Sequence, residues 1–303
     1  MKKITVFRLF LCSILISSLL ICELQAQAQD ATSLKNRHFA LQEQLTNNPF
    51  QRPVYIESNQ TADTLQGDIY AVIAQPFAIT SAALQDKNHW CDILILHINV
   101  KQCHASTSQP VATENPDDML SLNIGRKFDQ PLADSYLFEF IYQIKSVTPD
   151  YLQVALDSEK GPFGTSKYHL VIEVVHIDAQ NSFLHLSYAY DYGLMANTAM
   201  QGYLTTIGRN KSGFSVVSEK NQKLVYIGGM RGVVERNTMR YYLAIESYLG
   251  ALSAPASEQQ AKRLNDWQTG VEHYPKQLHE LERSEYLAMK AKEIQRQQDR
   301  YAR

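Results

Sequence analysis

Between residues 119 and 192, apolar and polar positions alternate in short runs broken by turn residues, the period of half-buried β-strands. MLSLNI (119–124), SYLFEFIYQI (135–144), residues 151–156, YHLVIEVVHI (168–177) and FLHLSYAYDY (183–192) all follow it, and the last two predict a hairpin across 178–182. SYLFEFIYQI carries aromatic or aliphatic side chains on both faces, which predicts a central or strongly curved strand. Consecutive strands joined by short turns predict an antiparallel sheet. Earlier, PVYIES (53–58) and GDIYAVIA (67–74) are β-like, and Pro76 ends the second. ILHINV (95–100) also alternates, which puts His97 and Asn99 on one face of a strand. Residues 213–217 and 223–227 predict two further strands across a polar turn.

A 3.6-residue period appears elsewhere. Residues 34–45 predict a short amphipathic helix stopped by Asn47-Asn48-Pro49, and residues 77–84 a second. Asp86 is placed to cap a third, running through Trp90 towards Ile93. Residues 194–206 interrupt the strands with a helical pattern. From 233 to 252 the positions Tyr241, Ala244, Ile245, Tyr248, Leu249 and Leu252 form one apolar stripe, a strong amphipathic helix. A Ser-Ala-Pro linker at 253–257 precedes charged helices over 258–267 and 275–303, with basic residues in the last turns.

The start of the chain has a different pattern. Lys2, Lys3 and Arg8 precede an apolar run over residues 9–21, and Ala26-Gln27-Ala28 follows. That order is a secretory signal peptide cleaved after Ala28, and it predicts a periplasmic protein without a stable transmembrane anchor. Cleavage takes the formal net charge of the 303-residue chain from −2 to −4, through loss of Lys2, Lys3, Arg8 and Glu23. A mildly acidic chain is not built to hold nucleic acid. Of the four cysteines, Cys12 and Cys22 leave with the signal. Cys91 and Cys103 remain, and an even pair in an oxidising compartment reads first as a disulfide, against two separate buried thiols.

Strand, two short helices, a long antiparallel meander and one closing helix is also the order of a known architecture. Through GDIYAVIAQPFAITSAALQDKNHWCDIL (67–94) and ERNTMRYYLAIESYLGAL (235–252), the chain resembles the START/Bet v 1-like (SRPBCC) superfamily over residues 67–252. The resemblance implies an α+β helix-grip fold, a curved antiparallel sheet wrapped around a long C-terminal helix, with extra helical N- and C-terminal segments. With it, the chain divides into the signal peptide (1–28), an N-terminal helical segment (29–58), a START-like domain (59–252) and a linker with charged helices (253–303). It also implies a space between sheet and closing helix that takes lipid, sterol or another apolar ligand. It transfers no catalytic residue, and the helix at 194–206 departs from the pattern as an insertion that lids or blocks that space.

Arg126, Arg209, Arg236 and Arg240 are placed to hold an anionic headgroup, because a guanidinium grips carboxylate or phosphate in a bidentate way. Alternatively they pair with Glu235, Asp129 or Asp191. Trp90, His97, Asn99, Tyr188, Tyr190 and Tyr241 are candidates for the cavity wall, or for a plain core. His89, Cys91, His97, Cys103 and His104 lack paired metal-ligand spacing, so neither a metal nor a cofactor is expected. No G-x-S-x-G, H-E-x-x-H, S-x-x-K or Walker pattern occurs. The expected function is a periplasmic binding or carrier protein for an apolar small molecule or lipid, anionic or not. A non-catalytic module that docks a protein partner through the C-terminal helices is the alternative, and a cavity enzyme of cyclase or hydrolase type the third.

Overall fold

In the computed structural model, residues 31–107, 118–206 and 208–301 are described, and the segment expected to be a signal peptide lies outside them. An N-terminal helix, α1 (31–40), continues after one turn residue as α2 (Gln42–Thr46). β1 (Val54–Gln60) and β2 (Thr64–Ile73) form a hairpin, followed by α3 (Phe77–Gln85) and α4 (Lys87–Leu94). Asp86 caps α4 by accepting from the Asn88 amide. A meander follows: β3 (Val100–Thr107), β4 (Asp118–Ile124), β5 (Tyr136–Val147), β6 (Tyr151–Lys160), β7 (Thr165–His176) and β8 (Ser182–Tyr192). The eight strands make one antiparallel sheet in the order β1-β2-β8-β7-β6-β5-β4-β3. The pairing of β2 with β8 sets the opening hairpin beside the last strand of the meander.

Two sequence expectations change here. Residues 95–99 are a turn, and only Val100 opens a strand, so His97 and Asn99 do not share a strand face. The strands after α5 (Leu194–Thr205) do not rejoin the sheet either. β9 (Val216–Lys220) and β10 (Lys223–Tyr226) form a separate exposed hairpin, and α5 falls between the last sheet strand and the closing helix. Their apolar residues, among them Val217 and Leu224, are exposed on a ribbon with no sheet to bury them.

The closing helix α6 (Gly229–Ala251) crosses the concave face. Leu65, Ile69 and Ala71 of β2, Leu170 and Ile172 of β7 and Leu184 and Leu186 of β8 alternate inward against it. Contact is closest at Gly67, where a Cβ would sit 2.5 Å from the Thr238 Oγ1. Far from carrying one apolar stripe, α6 is buried at nearly every position, because α7 (Ala256–Glu272) and α8 (Pro275–Leu278) cover its other side, with α9 (Arg283–Tyr301) packed against α7. Leu264, Trp267, Val271, Leu278, Tyr286, Met289 and Ile294 of these helices share one core with the sheet. Trp267 stacks on Tyr286 and donates its Nε1–H to the Arg240 carbonyl at 3.2 Å. α9 also covers the edge strand β3, whose Cys103 amide donates to Gln297 Oε1 at 2.9 Å. Cys103 and Cys91 are disulfide-bonded with Cα atoms 5.2 Å apart, joining β3 to α4.

On the convex face, α1 and α2 cover a smaller cluster built on Tyr151, Val175 and Phe183. β5 lies outside that cover, which leaves the apolar residues of its second face, such as Leu137, in solvent. Beside the cluster, His185 lies between Glu173 (Nδ1 to Oε2, 2.7 Å) and Asp68 (Nε2 to Oδ1, 3.0 Å), with Tyr70 stacked on its ring. Burial disfavours the imidazolium, but the two carboxylates outweigh it and raise the pKa from 6.5 to about 9. Despite burial, hydrogen bonds from His185 hold both acids below their ordinary values.

Two outcomes follow from this packing. Gly67→Ala loses about 1–3 kcal/mol in urea unfolding from overpacking against α6, and most of that loss disappears in the Gly67→Ala/Thr238→Ala double variant, which removes the clashing hydroxyl. His185 contributes fully below pH 6.5, and its contribution is lost as pH rises through about 9. The unfolding free-energy gap between the native chain and His185→Asn therefore shrinks by about 3 kcal/mol between roughly pH 6 and pH 9.5. A constant gap would show that folding leaves the imidazole pKa unshifted.

Candidate functional site

Beyond the close contact at Gly67, the curved sheet and α6 separate, leaving a cavity of about 390 Å³. Its sheet wall is aromatic: Phe138 of β5, Tyr168 of β7, and Tyr188 and Tyr190 of β8. Strand alternation explains this, since every second residue of SYAYDY points to the concave face. Tyr168 stacks on Tyr190 with centroids 5.0 Å apart and meets Phe138 edge-on at 4.8 Å. Met230, Val233, Asn237 and Tyr241 of α6 form the opposite wall. α5 roofs the space with Ala196, Ala199, Met200 and Tyr203, and the β6–β7 turn adds Phe163 at the mouth. The insertion is a lid that leaves the cavity open beneath it. Phe163, Leu194 and Met195 stand 76%, 83% and 72% exposed beside that mouth.

The turn between α4 and β3 supplies the polar end, with His97 and Asn99 on the cavity wall. Asn99 is anchored by donating to the Gly125 carbonyl at 2.7 Å. The His97 ring stacks on Tyr241 at 4.8 Å, and its Nδ1 accepts from the Asn99 amide at 3.2 Å. Burial, reinforced by Arg240, Lys290, Lys127 and Lys101, pushes its pKa well below the ordinary value. The imidazole is therefore neutral with its proton on Nε2, and that buried N–H has no hydrogen-bond partner. Around it, burial raises the Tyr168 hydroxyl to about 12 and holds Tyr188, Tyr190 and Tyr241 higher than ordinary phenols, so all four stay protonated at neutral pH.

Of the residues singled out from sequence, His97, Asn99, Tyr188, Tyr190 and Tyr241 converge on this cavity, and the others lie elsewhere. Trp90 is buried in the core, donating to the Leu84 carbonyl at 2.9 Å. Arg126 and Arg209 are exposed, the first with its guanidinium over Phe128. Arg236 and Arg240 are buried on the flank of α6, behind the cavity wall. Arg236 donates to the Ser212 carbonyl, and Arg240 pairs with Glu280 of the α8–α9 turn at 2.9 Å. Glu235 is not the partner of Arg236, because its carboxylate accepts from the Ser58 and Ser215 hydroxyls and the Phe214 and Ser215 amides. Asp129 pairs with Lys292, and Asp191 with Lys167. Phe138 and Tyr168 were legible as inward positions of alternating strands, whereas the cavity role of Tyr203 and Asn237 depends on how helices pack.

The His97 turn is held from behind by α9. Lys290 Nζ donates to the carbonyls of His97 and Val100, both at 2.8 Å, and to Glu293 Oε2 at 2.7 Å. Lys101 Nζ donates to the Ile98 carbonyl at 3.1 Å and to Glu293 Oε1 at 3.0 Å. All three charged side chains are fully buried. Among the described residues, no cluster of three or more His, Cys, Asp or Glu could hold a metal ion, and no helix is long and apolar enough to cross a membrane.

The sheet order and the closing helix make this a START/Bet v 1-like, helix-grip fold. Solved structures with which the chain shares a weak likeness include a START superfamily protein from Mycobacterium smegmatis (12% identity, 49% of this chain and 97% of that one, TM-score 0.30). A truncated norcoclaurine synthase from Thalictrum flavum is similar at 12% identity over 50% of this chain and 90% of its own, TM-score 0.32. The Zhui aromatase/cyclase from Streptomyces sp. R1128 is similar at 10% identity over 70% and 95%, TM-score 0.32. No protein-family model and no curated protein matches the chain.

Lys290→Met leaves the His97 and Val100 carbonyls without their donor and Glu293 with Lys101 alone. The expected cost is about 3–5 kcal/mol in urea unfolding, with faster amide exchange across residues 97–101 than elsewhere in the sheet. Uniform exchange would separate α9 from control of the turn.

Proposed function

We propose that this protein is an exported binding or carrier protein for an apolar small molecule held between the sheet and α6. The observation that carries the reading is a cavity of about 390 Å³ whose wall is almost entirely aromatic and aliphatic, with one unpartnered His97 Nε2–H at one end. Apolar lining with a few placed polar groups is the character of small-molecule sites, and the volume lies near the lower end of their range of about 300–1,000 Å³. It suits a single chain or a small ring system. Stacked tyrosines offer large contact area at little entropic cost, since their rotamers are already locked by one another. His97 and Asn99 supply hydrogen bonds that orient the ligand, while the buried arginines do not reach the wall.

The basic-apolar-small order of residues 2–28 supports export to the periplasm, where an apolar molecule in water needs such shielding. N-terminal sequencing of the secreted protein should begin at Gln29. Docking of a partner by the C-terminal helices finds less support, because α7 packs on α6, and α9 on α7 and β3, with their apolar residues in the shared core.

Native purification, organic extraction and mass spectrometry should recover a co-purifying apolar compound. The emptied protein should bind the uncharged fluorophore N-phenyl-1-naphthylamine. Ala199→Trp places a large ring in the cavity from its roof and should weaken that binding at least tenfold with little change in melting temperature. A native protein that carries nothing and does not bind the fluorophore would end this reading.

A further inference from the structure

The cavity is electrically lopsided. At the end bounded by His97, Tyr203 and Asn237, each wall residue touches or feels a cation behind it. Lys127 Nζ lies 5.5 Å over the Tyr203 ring. Arg240 Nη1 donates to Asn237 Oδ1 at 3.3 Å. His97 lies in the field of Arg240, Lys290, Lys127 and Lys101. Lys211 and Arg236 extend the same group and donate to the backbone carbonyls of His279 and Ser212, which carry no charge. Lys127 and Arg240 share a single carboxylate, Glu280. Glu235 and Glu293 are the buried acids near this end, so the four buried cations Lys101, Arg236, Arg240 and Lys290 face two buried carboxylates and the partly buried Glu280. Two of those acids are saturated: Glu235 by two hydroxyls and two amides, and Glu293 by two lysines. The opposite end of the cavity is Phe138, Phe163 and stacked tyrosines.

An excess of buried positive charge beside an apolar chamber is costly unless something negative joins it. Two buried donors at this end also lack partners, His97 Nε2 on the wall and Arg240 Nε behind it. Native proteins rarely leave such groups unpaired. Resting on the cavity reading above, we propose that the ligand is an amphipathic carboxylic acid, its apolar body among the tyrosines and its carboxylate at the His97–Tyr203 end. There it accepts the His97 Nε2–H and sits in the field of Lys127 and Arg240. Glu280 is the protein's own anion in that field, and it opposes the ligand's charge.

Displacement of N-phenyl-1-naphthylamine by three probes of one chain length tests this: dodecanoate, dodecanol and dodecyltrimethylammonium. Dodecanoate should bind at least tenfold more tightly than dodecanol, and the ammonium more weakly than either. Lys127→Met should weaken dodecanoate several-fold and leave dodecanol within twofold. Glu280→Gln should tighten dodecanoate several-fold, a gain that misfolding cannot produce. If dodecanol competes as well as dodecanoate, the charge inference fails and the apolar cavity stands. Preference for the ammonium overturns the inference outright. If no probe displaces the fluorophore, or the fluorophore itself does not bind, the cavity reading falls and takes this one with it.

Discussion

Everything in this structure is arranged around a helix that is buried on all sides. α6 lies between the concave sheet and a layer of C-terminal helices, so polar residues such as Glu235, Thr238 and Arg240 cannot turn to water. Each therefore needs an internal partner. Glu235 takes the hydroxyls and amides of Ser58, Phe214 and Ser215, tying the helix to β1 and to the strand-free approach to β9. Arg240 takes Glu280, which anchors the α8–α9 turn. Thr238 turns its hydroxyl back to the Val234 carbonyl, and β2 offers a glycine opposite it. The apolar residues of α6 supply the driving force, and its charged ones select which segments lie against it.

The same logic explains how a distant C-terminal helix governs the cavity. Lys101, Lys290 and Glu293 are a fully buried ionic trio, and such groups are seldom more stabilising than apolar packing. Their distinctive effect is directional. Three lysine hydrogen bonds fix three carbonyls of one turn, and that turn presents His97 and Asn99. α9 thus sets the geometry of a site it does not line. The lid is the opposite case: α5 leaves Leu194 and Met195 in solvent and buries only Ala196. Few buried contacts place a segment at the low-stability end of a fold, where opening to admit a ligand costs least.

Legibility varied with how local the determining interactions were. The inward tyrosines of β8 follow from strict alternation, because a strand buried on one face has no other register. The Asp86 cap and the helices at 77–85 and 87–94 rest on contacts a few residues apart, and sequence shows them. His97 and Asn99 were legible as cavity residues but not as turn residues: ILHINV has strand periodicity, and carbonyls captured by the distant Lys290 help hold it as a turn. The arginines show the converse. Their chemistry suggested ligand contact, yet Arg236 and Arg240 meet partners 24 and 38–40 residues away that no spacing rule reaches.

By itself, then, the chain specified its elements: the alternating meander, the closing helix, the lid as a helical interruption, and a cysteine pair suited to oxidation. These depend on periodicity and nearest neighbours, which a linear string carries in full. Tertiary structure alone decided that α6 is covered on its far side, that β9 and β10 stand apart from the sheet, and that the sheet and α6 separate into a cavity. It also decided which charges gather behind the His97 end. Such outcomes depend on the sign and volume of side chains brought together from opposite ends of the chain, and no local pattern records that meeting.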